Sequence, residues 1–128
     1  MINAIWWILG AGIVLFFLLR QGAGGEGALS PSETNAYIAS QKDLQVVDVR
    51  TPEEFTEGHL AQAVNIPLDQ LQASLRKISK EKPILLYCHS GRRSAAALKI
   101  LRKNGCTQAK HLKGGLSAWQ NAGFPVLK

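Results

Sequence analysis

Cys88 closes an apolar run, Pro83 Ile84 Leu85 Leu86 Tyr87, and opens a short loop, His89 Ser90 Gly91 Arg92 Arg93, that leads into Ser94 Ala95 Ala96 Ala97 Leu98. Strand, loop and helix in that order put a thiol where backbone amides and two guanidinium groups converge. Amides and positive charge at a helix N-terminus favour an anionic sulfur, so Cys88 reads as a reactive thiolate. The plainer reading is packing, since free cysteine is among the most buried residue types; the arginines and the strand-to-helix setting argue for reactivity. Cys88 is therefore the candidate nucleophile, and His89, Ser90, Gly91, Arg92 and Arg93 are the candidate anion cradle. Asp48 and Arg50 end another short apolar run. They read first as an ion pair or hydrogen bonds that fix the loops, and second as catalytic groups.

The other chemistry-bearing residues have blander readings. His59 is expected to be a structural hydrogen-bonder, His111 a structural residue of the last strand, and Trp119 a core aromatic. Three histidines with no Cys or carboxylate at ligand spacing argue against a bound metal, and no cofactor is expected. Cys88 and Cys106 are the only cysteines, which excludes a disulfide-rich scaffold and a four-cysteine zinc site. A bridge between these two would sequester the thiol assigned to chemistry.

Charge is divided along the chain. Residues 1–69 carry three Lys/Arg against eight Asp/Glu, and residues 70–128 carry twelve against one, for a net charge of +6. A positive field around Cys88 concentrates small anions, while a solvated basic surface and attraction to anionic headgroups are the competing readings. Nucleic acid ranks last, because no aromatic-interleaved basic motif or zinc-finger spacing is present.

Elements must position these residues. Ile2 to Leu19 carries no charged side chain, and eighteen helical residues span about 27 Å against a hydrocarbon core of about 30 Å. Residues 1–20 therefore read as one transmembrane anchor, favoured over a cleaved signal peptide because the run is long and no Lys or Arg precedes it. Arg20 follows the span, so the positive-inside bias places the C-terminal domain in the cytoplasm, as a single-pass protein of a bacterial inner membrane. Residues 21–28, with four glycines, form a flexible tether.

The folded domain is expected over residues 29–128. Ser30 Pro31 Ser32 Glu33 and Thr51 Pro52 Glu53 Glu54 each predict an N-capped helix, running to about Ser40 and to Gly58. Strands are predicted at Gln45–Val49, Ala63–Ile66, Ile84–Tyr87 and Ala109–Leu112. Leu68, Leu71, Leu75 and Ile78 follow helical spacing. A helix is predicted from Ser94 to Asn104 with Gly105 at its end, and another from Gly114 Gly115 through Trp119. Strands alternating with helices imply an α/β fold, a small mainly parallel sheet with helices on both faces. In such sheets, sites form beyond the C-terminal ends of strands, where Cys88 and Asp48 both lie.

Four segments in order, Asp48 Val49 Arg50 Thr51 Pro52 Glu53 Glu54 Phe55, Gly58 His59 Leu60 through Ile66 Pro67, Tyr87 Cys88 through Ser94, and Leu112 Lys113 Gly114 Gly115 Leu116 through Trp119, resemble the rhodanese family of sulfurtransferases. The likeness covers about residues 29–128 and leaves the anchor outside; the whole is similar to single-domain rhodaneses tethered by one N-terminal span. The resemblance implies a two-step transfer. Cys88 takes the outer sulfur of a small anionic donor such as thiosulfate, holds it as a persulfide, and passes it to a thiol, a cyanide-like acceptor or a protein. The family pattern favours Arg93 as the arginine that faces the pocket, and His89 stands where many thiosulfate-using relatives carry arginine. Related phosphatases and arsenate reductases have one residue more in the loop, with arginine six after the cysteine. Here Ser94 holds that position, and the smaller loop suits a sulfur atom. The rivals are an oxyanion enzyme of that kind and a non-catalytic, membrane-tethered binding module.

Overall fold

The structure, a computed structural model, describes residues 26–128. The expected anchor and all but the last three residues of the tether lie outside the described residues. Among the described residues no helix is long and apolar enough to cross a membrane.

Five strands, β1 (Ala28–Leu29), β2 (Gln45–Asp48), β3 (Val64–Asn65), β4 (Ile84–Tyr87) and β5 (Ala109–Leu112), form one sheet in the order β1-β5-β4-β2-β3. Every pairing is parallel. The helices are α1 (Pro31–Ser40), α2 (Pro52–Glu57), α3 (Leu68–Leu71), α4 (Arg92–Lys103) and α5 (Gly115–Asn121). Both capping boxes form as predicted: Ser30 accepts from the Glu33 amide at 3.1 Å and Thr51 from the Glu54 amide at 3.2 Å, with each glutamate bonding back.

Several boundaries differ from the sequence reading: β2 ends at Asp48 and not Val49, and β3 holds only Val64–Asn65 of the expected Ala63–Ile66. Ala28, taken above as the last tether residue, is already in β1, where it pairs with His111 of β5. Two residues carry no periodicity, and only the exposed edge of β5 makes them a strand. The helix expected through Leu75 and Ile78 is a single α turn, α3, followed by a tighter 3₁₀ stretch over Gln72–Lys77. Gln45 explains its end, because the side chain accepts from the Ser79 amide at 2.8 Å and donates to the Ser79 carbonyl at 2.9 Å, pulling the chain out straight. Finally, α4 starts at Arg92 instead of Ser94.

Side-chain alternation divides the core as a doubly covered sheet requires. On β4, Ile84, Leu86 and Cys88 pack with Val47, Val49, Leu71, Leu98 and Leu101 on the α3/α4 face. Leu85 and Tyr87 pack with Val46, Leu60, Leu112, Leu116 and Trp119 on the α1/α5 face. A buried leucine of this kind contributes about 1.5–3 kcal/mol, and every residue of β4 leading to Cys88 is buried.

Candidate active site

β4 ends at Tyr87, and the chain turns immediately at Cys88. Gly91 makes that turn possible: its φ of +99° is a left-handed conformation that a side chain resists. The turn points the Gly91 amide at Cys88 Sγ, 3.1 Å away, and the Ser94 amide in the first turn of α4 lies 3.4 Å from the same sulfur. Ser94 Oγ is 3.6 Å from it. Two amide donors thus face one buried sulfur, with the Ser94 hydroxyl beside them, at the end of a helix where the dipole favours negative charge. Cys88 and Cys106 are both unpaired.

The back of the loop is held by α5. The Leu116 amide donates to the Cys88 carbonyl at 2.8 Å and the Ser117 amide to the His89 carbonyl at 3.0 Å. Such contact requires Gly115, because a Cβ there would overlap the His89 and Cys88 carbonyls.

Asp48 and Arg50 form a buried pair beside the loop. Arg50 Nη2 lies 2.7 Å from Asp48 Oδ2, its Nε donates to both carboxylate oxygens, and Nη2 also donates to the Gly58 carbonyl at 2.6 Å. The Arg50 amide closes on Asp48 Oδ1 at 2.9 Å. Burial opposes the guanidinium charge, yet hydrogen bonds and charge from Asp48 outweigh it and hold Arg50 more firmly protonated than usual. Both Asp48 carboxylate oxygens and Arg50 Nε and Nη2 are spent on the protein itself, which fits loop fixation better than catalysis. Tyr87 completes the arrangement by accepting from the Leu60 amide at 3.0 Å, and burial pushes its phenol pKa up.

Arg93 and Arg92 diverge. Arg93 makes a forked pair with Glu54 of α2, Nη1 to Oε1 at 2.7 Å and Nη2 to Oε2 at 3.0 Å. The Arg93 hydrogen bond holds the Glu54 carboxyl at about 2, well below its ordinary 4.5. Arg92, His89 and Ser90 are exposed at the mouth. A cleft of about 220 Å³ adjoins it, lined by Arg50, Glu54, His89, Leu116, Gln120 and Lys128 among others. His59 lies apart, with Nδ1 3.0 Å from the Phe55 carbonyl and its ring stacked on Phe55.

Three residues outside the predicted cradle join the site. Glu54 fills the fork of Arg93, Ser94 touches the sulfur, and His111 Nδ1 lies 3.0 Å from Ser94 Oγ. Position six of the loop was the available signal for Ser94. For His111 it was strand alternation, since Ala109 and His111 face the same side of β5.

The rhodanese-like domain family matches residues 30–122. An uncharacterized protein of Bacillus subtilis is 47% identical over 83 residues, 65% of this chain and, at just under two thirds, 66% of that protein's length. A protein of Allochromatium vinosum named a sulfurtransferase is 32% identical over 90 residues, 70% of this chain and 84% of its own. Among solved structures, a rhodanese-related protein of Thermoplasma volcanium superposes with a TM-score of 0.71 at 30% identity, covering 78% of this chain and 96% of that one.

Proposed function

The chain belongs to the rhodanese-like domain family, and on that footing we propose that it is a sulfurtransferase with Cys88 as nucleophile and sulfur carrier. The observation that carries this reading is the enclosure of one sulfur by the Gly91 and Ser94 amides within a loop that reaches α4 by its fourth residue. The Allochromatium relative's name supports it.

The chemistry balances at each step. Cys88 thiolate attacks the outer sulfur of a donor such as thiosulfate or a persulfide; the new S–S bond forms as the donor's own S–S bond breaks, and sulfite or a thiolate leaves with the electron pair. The acceptor's thiolate or cyanide carbon then attacks the outer sulfur, and Cys88 leaves as thiolate. The inward amides stabilise sulfur anions in both steps, and no proton need be removed from a thiolate. Tethering by residues 2–19, with the domain on the cytoplasmic side of an inner membrane, belongs to the same proposal and is supported by the uncharged apolar run and Arg20.

The test is turnover. Purified protein with thiosulfate or glutathione persulfide should convert cyanide to thiocyanate, and Cys88→Ser should abolish it. Hydrolysis of an aryl phosphate or reduction of arsenate without sulfur transfer would replace this reading by the oxyanion enzyme.

A further inference from the structure

Ser94 has one hydroxyl proton and three neighbours that compete for it. Cys88 Sγ lies at 3.6 Å, the Gly91 carbonyl at 3.2 Å and His111 Nδ1 at 3.0 Å. A hydroxyl donates once but accepts twice, so the state of His111 decides where the proton points. If Nδ1 is bare, it takes the Ser94 proton, and a hydroxyl lone pair is left facing the sulfur, which repels an anion. If Nδ1 carries hydrogen, it donates to Oγ and the Ser94 proton is released toward the sulfur. An anionic sulfur outcompetes a neutral carbonyl for it, because a charge-assisted bond is roughly twice as strong.

We propose that His111 is a positioning residue for Cys88: its Nδ1–H donates to Ser94 Oγ and so directs the Ser94 hydroxyl proton at the sulfur anion. Ser94 and His111 are both buried, and His111 lies on the face of β5 that it shares with Ala109, which packs in one cluster with Cys88. Burial, and then the charge of Arg102 on α4, lowers the His111 pKa, so the imidazole stays neutral and its two nitrogens differ. The arrangement gives the sulfur a third donor beside the two amides. Of the proposed function it rests only on the reading of Cys88 as a thiolate.

Two measurements on the intact protein test it, and neither uses a sulfur donor. Ring-nitrogen NMR of His111 should show a neutral imidazole with hydrogen on Nδ1; hydrogen on Nε2 alone would overturn the proposal. The thiolate ultraviolet absorbance at neutral pH, taken as the difference from Cys88→Ser, should fall by at least half in Ser94→Ala and in His111→Leu, and no further in the double variant, because both remove one donor chain. His111→Asn, which keeps a side-chain N–H, should recover most of what His111→Leu loses. Additive losses, or an absorbance unchanged in both single variants, would overturn the proposal even if His111→Leu folds poorly, since Ser94→Ala and the NMR state stand on their own. A protein that passes both tests yet transfers no sulfur would refute the transferase reading and leave this one in place.

Discussion

The role proposed for Cys88 depends on what points at it, and most of what points at it is backbone. Its amide partners, Gly91 and Ser94, depend on one left-handed glycine and one helix start, so they persist through many side-chain changes. Arg93 is different: its fork is occupied by Glu54, and an incoming oxyanion must displace a carboxylate to use it. Glu54→Gln should therefore weaken that competition and lower the KM for thiosulfate several-fold with little change in kcat, because a neutral amide competes poorly for a guanidinium. Steady-state kinetics with thiosulfate checks this. The same substitution has a pH signature. Glu54 titrates at about 2 in the fold against an ordinary 4.5; a folded value below the unfolded one means stability that is complete above the ordinary range and is lost as pH falls through about 4.5 towards about 2. The pair is partly exposed, so at neutral pH its loss should cost only about 0–1 kcal/mol. Urea denaturation across that acid window should be shallower in Glu54→Gln than in the native protein.

The elements explain why these residues meet. β2 and β4 end side by side, Asp48 opposite Tyr87, which sets the Asp48–Arg50 pair beside the Cys88 loop. α5 then closes the back of the loop through Gly115. Gly115→Ala should push the Cys88–His89 carbonyls away, at a cost of about 1–3 kcal/mol for overpacking with added strain from its positive φ. A lower melting temperature together with slower sulfur loading is expected; loading at the native rate would mean that α5 does not hold the loop. These relations also show what the sequence could carry. The caps at Ser30 and Thr51 and the strands at Gln45, Ile84 and Ala109 are local patterns, and they were legible. β1 was not, since Ala28 and Leu29 are strand only by pairing with β5. Nor was the 3₁₀ stretch after α3, whose end is set by Gln45 from another strand. His111 was legible as a strand residue, but its approach to Ser94 joins positions seventeen apart and exists only in the folded sheet.

Taken whole, the molecule joins an acidic N-terminal half to a basic C-terminal half that carries the Cys88 loop. A field of that sign draws small anionic donors toward Cys88 and is screened by salt, so kcat/KM for thiosulfate should fall as ionic strength rises while turnover of a neutral donor stays level. The proposed anchor makes a separate claim. Full-length protein expressed in a bacterium should sediment with membranes and resist alkaline carbonate, and a reporter fused after Lys128 should be active in the cytoplasm. Release by carbonate, or a reporter active only in the periplasm, would remove the tethered arrangement without touching the chemistry.

The chemistry stands on Cys88 carrying sulfur. Intact-mass spectrometry of the protein after incubation with thiosulfate or inorganic polysulfide should show one added sulfur atom, mapped to the Cys88 peptide, absent in Cys88→Ser and removed by cyanide. An unchanged mass with both donors, or an adduct confined to Cys106, would contradict the account.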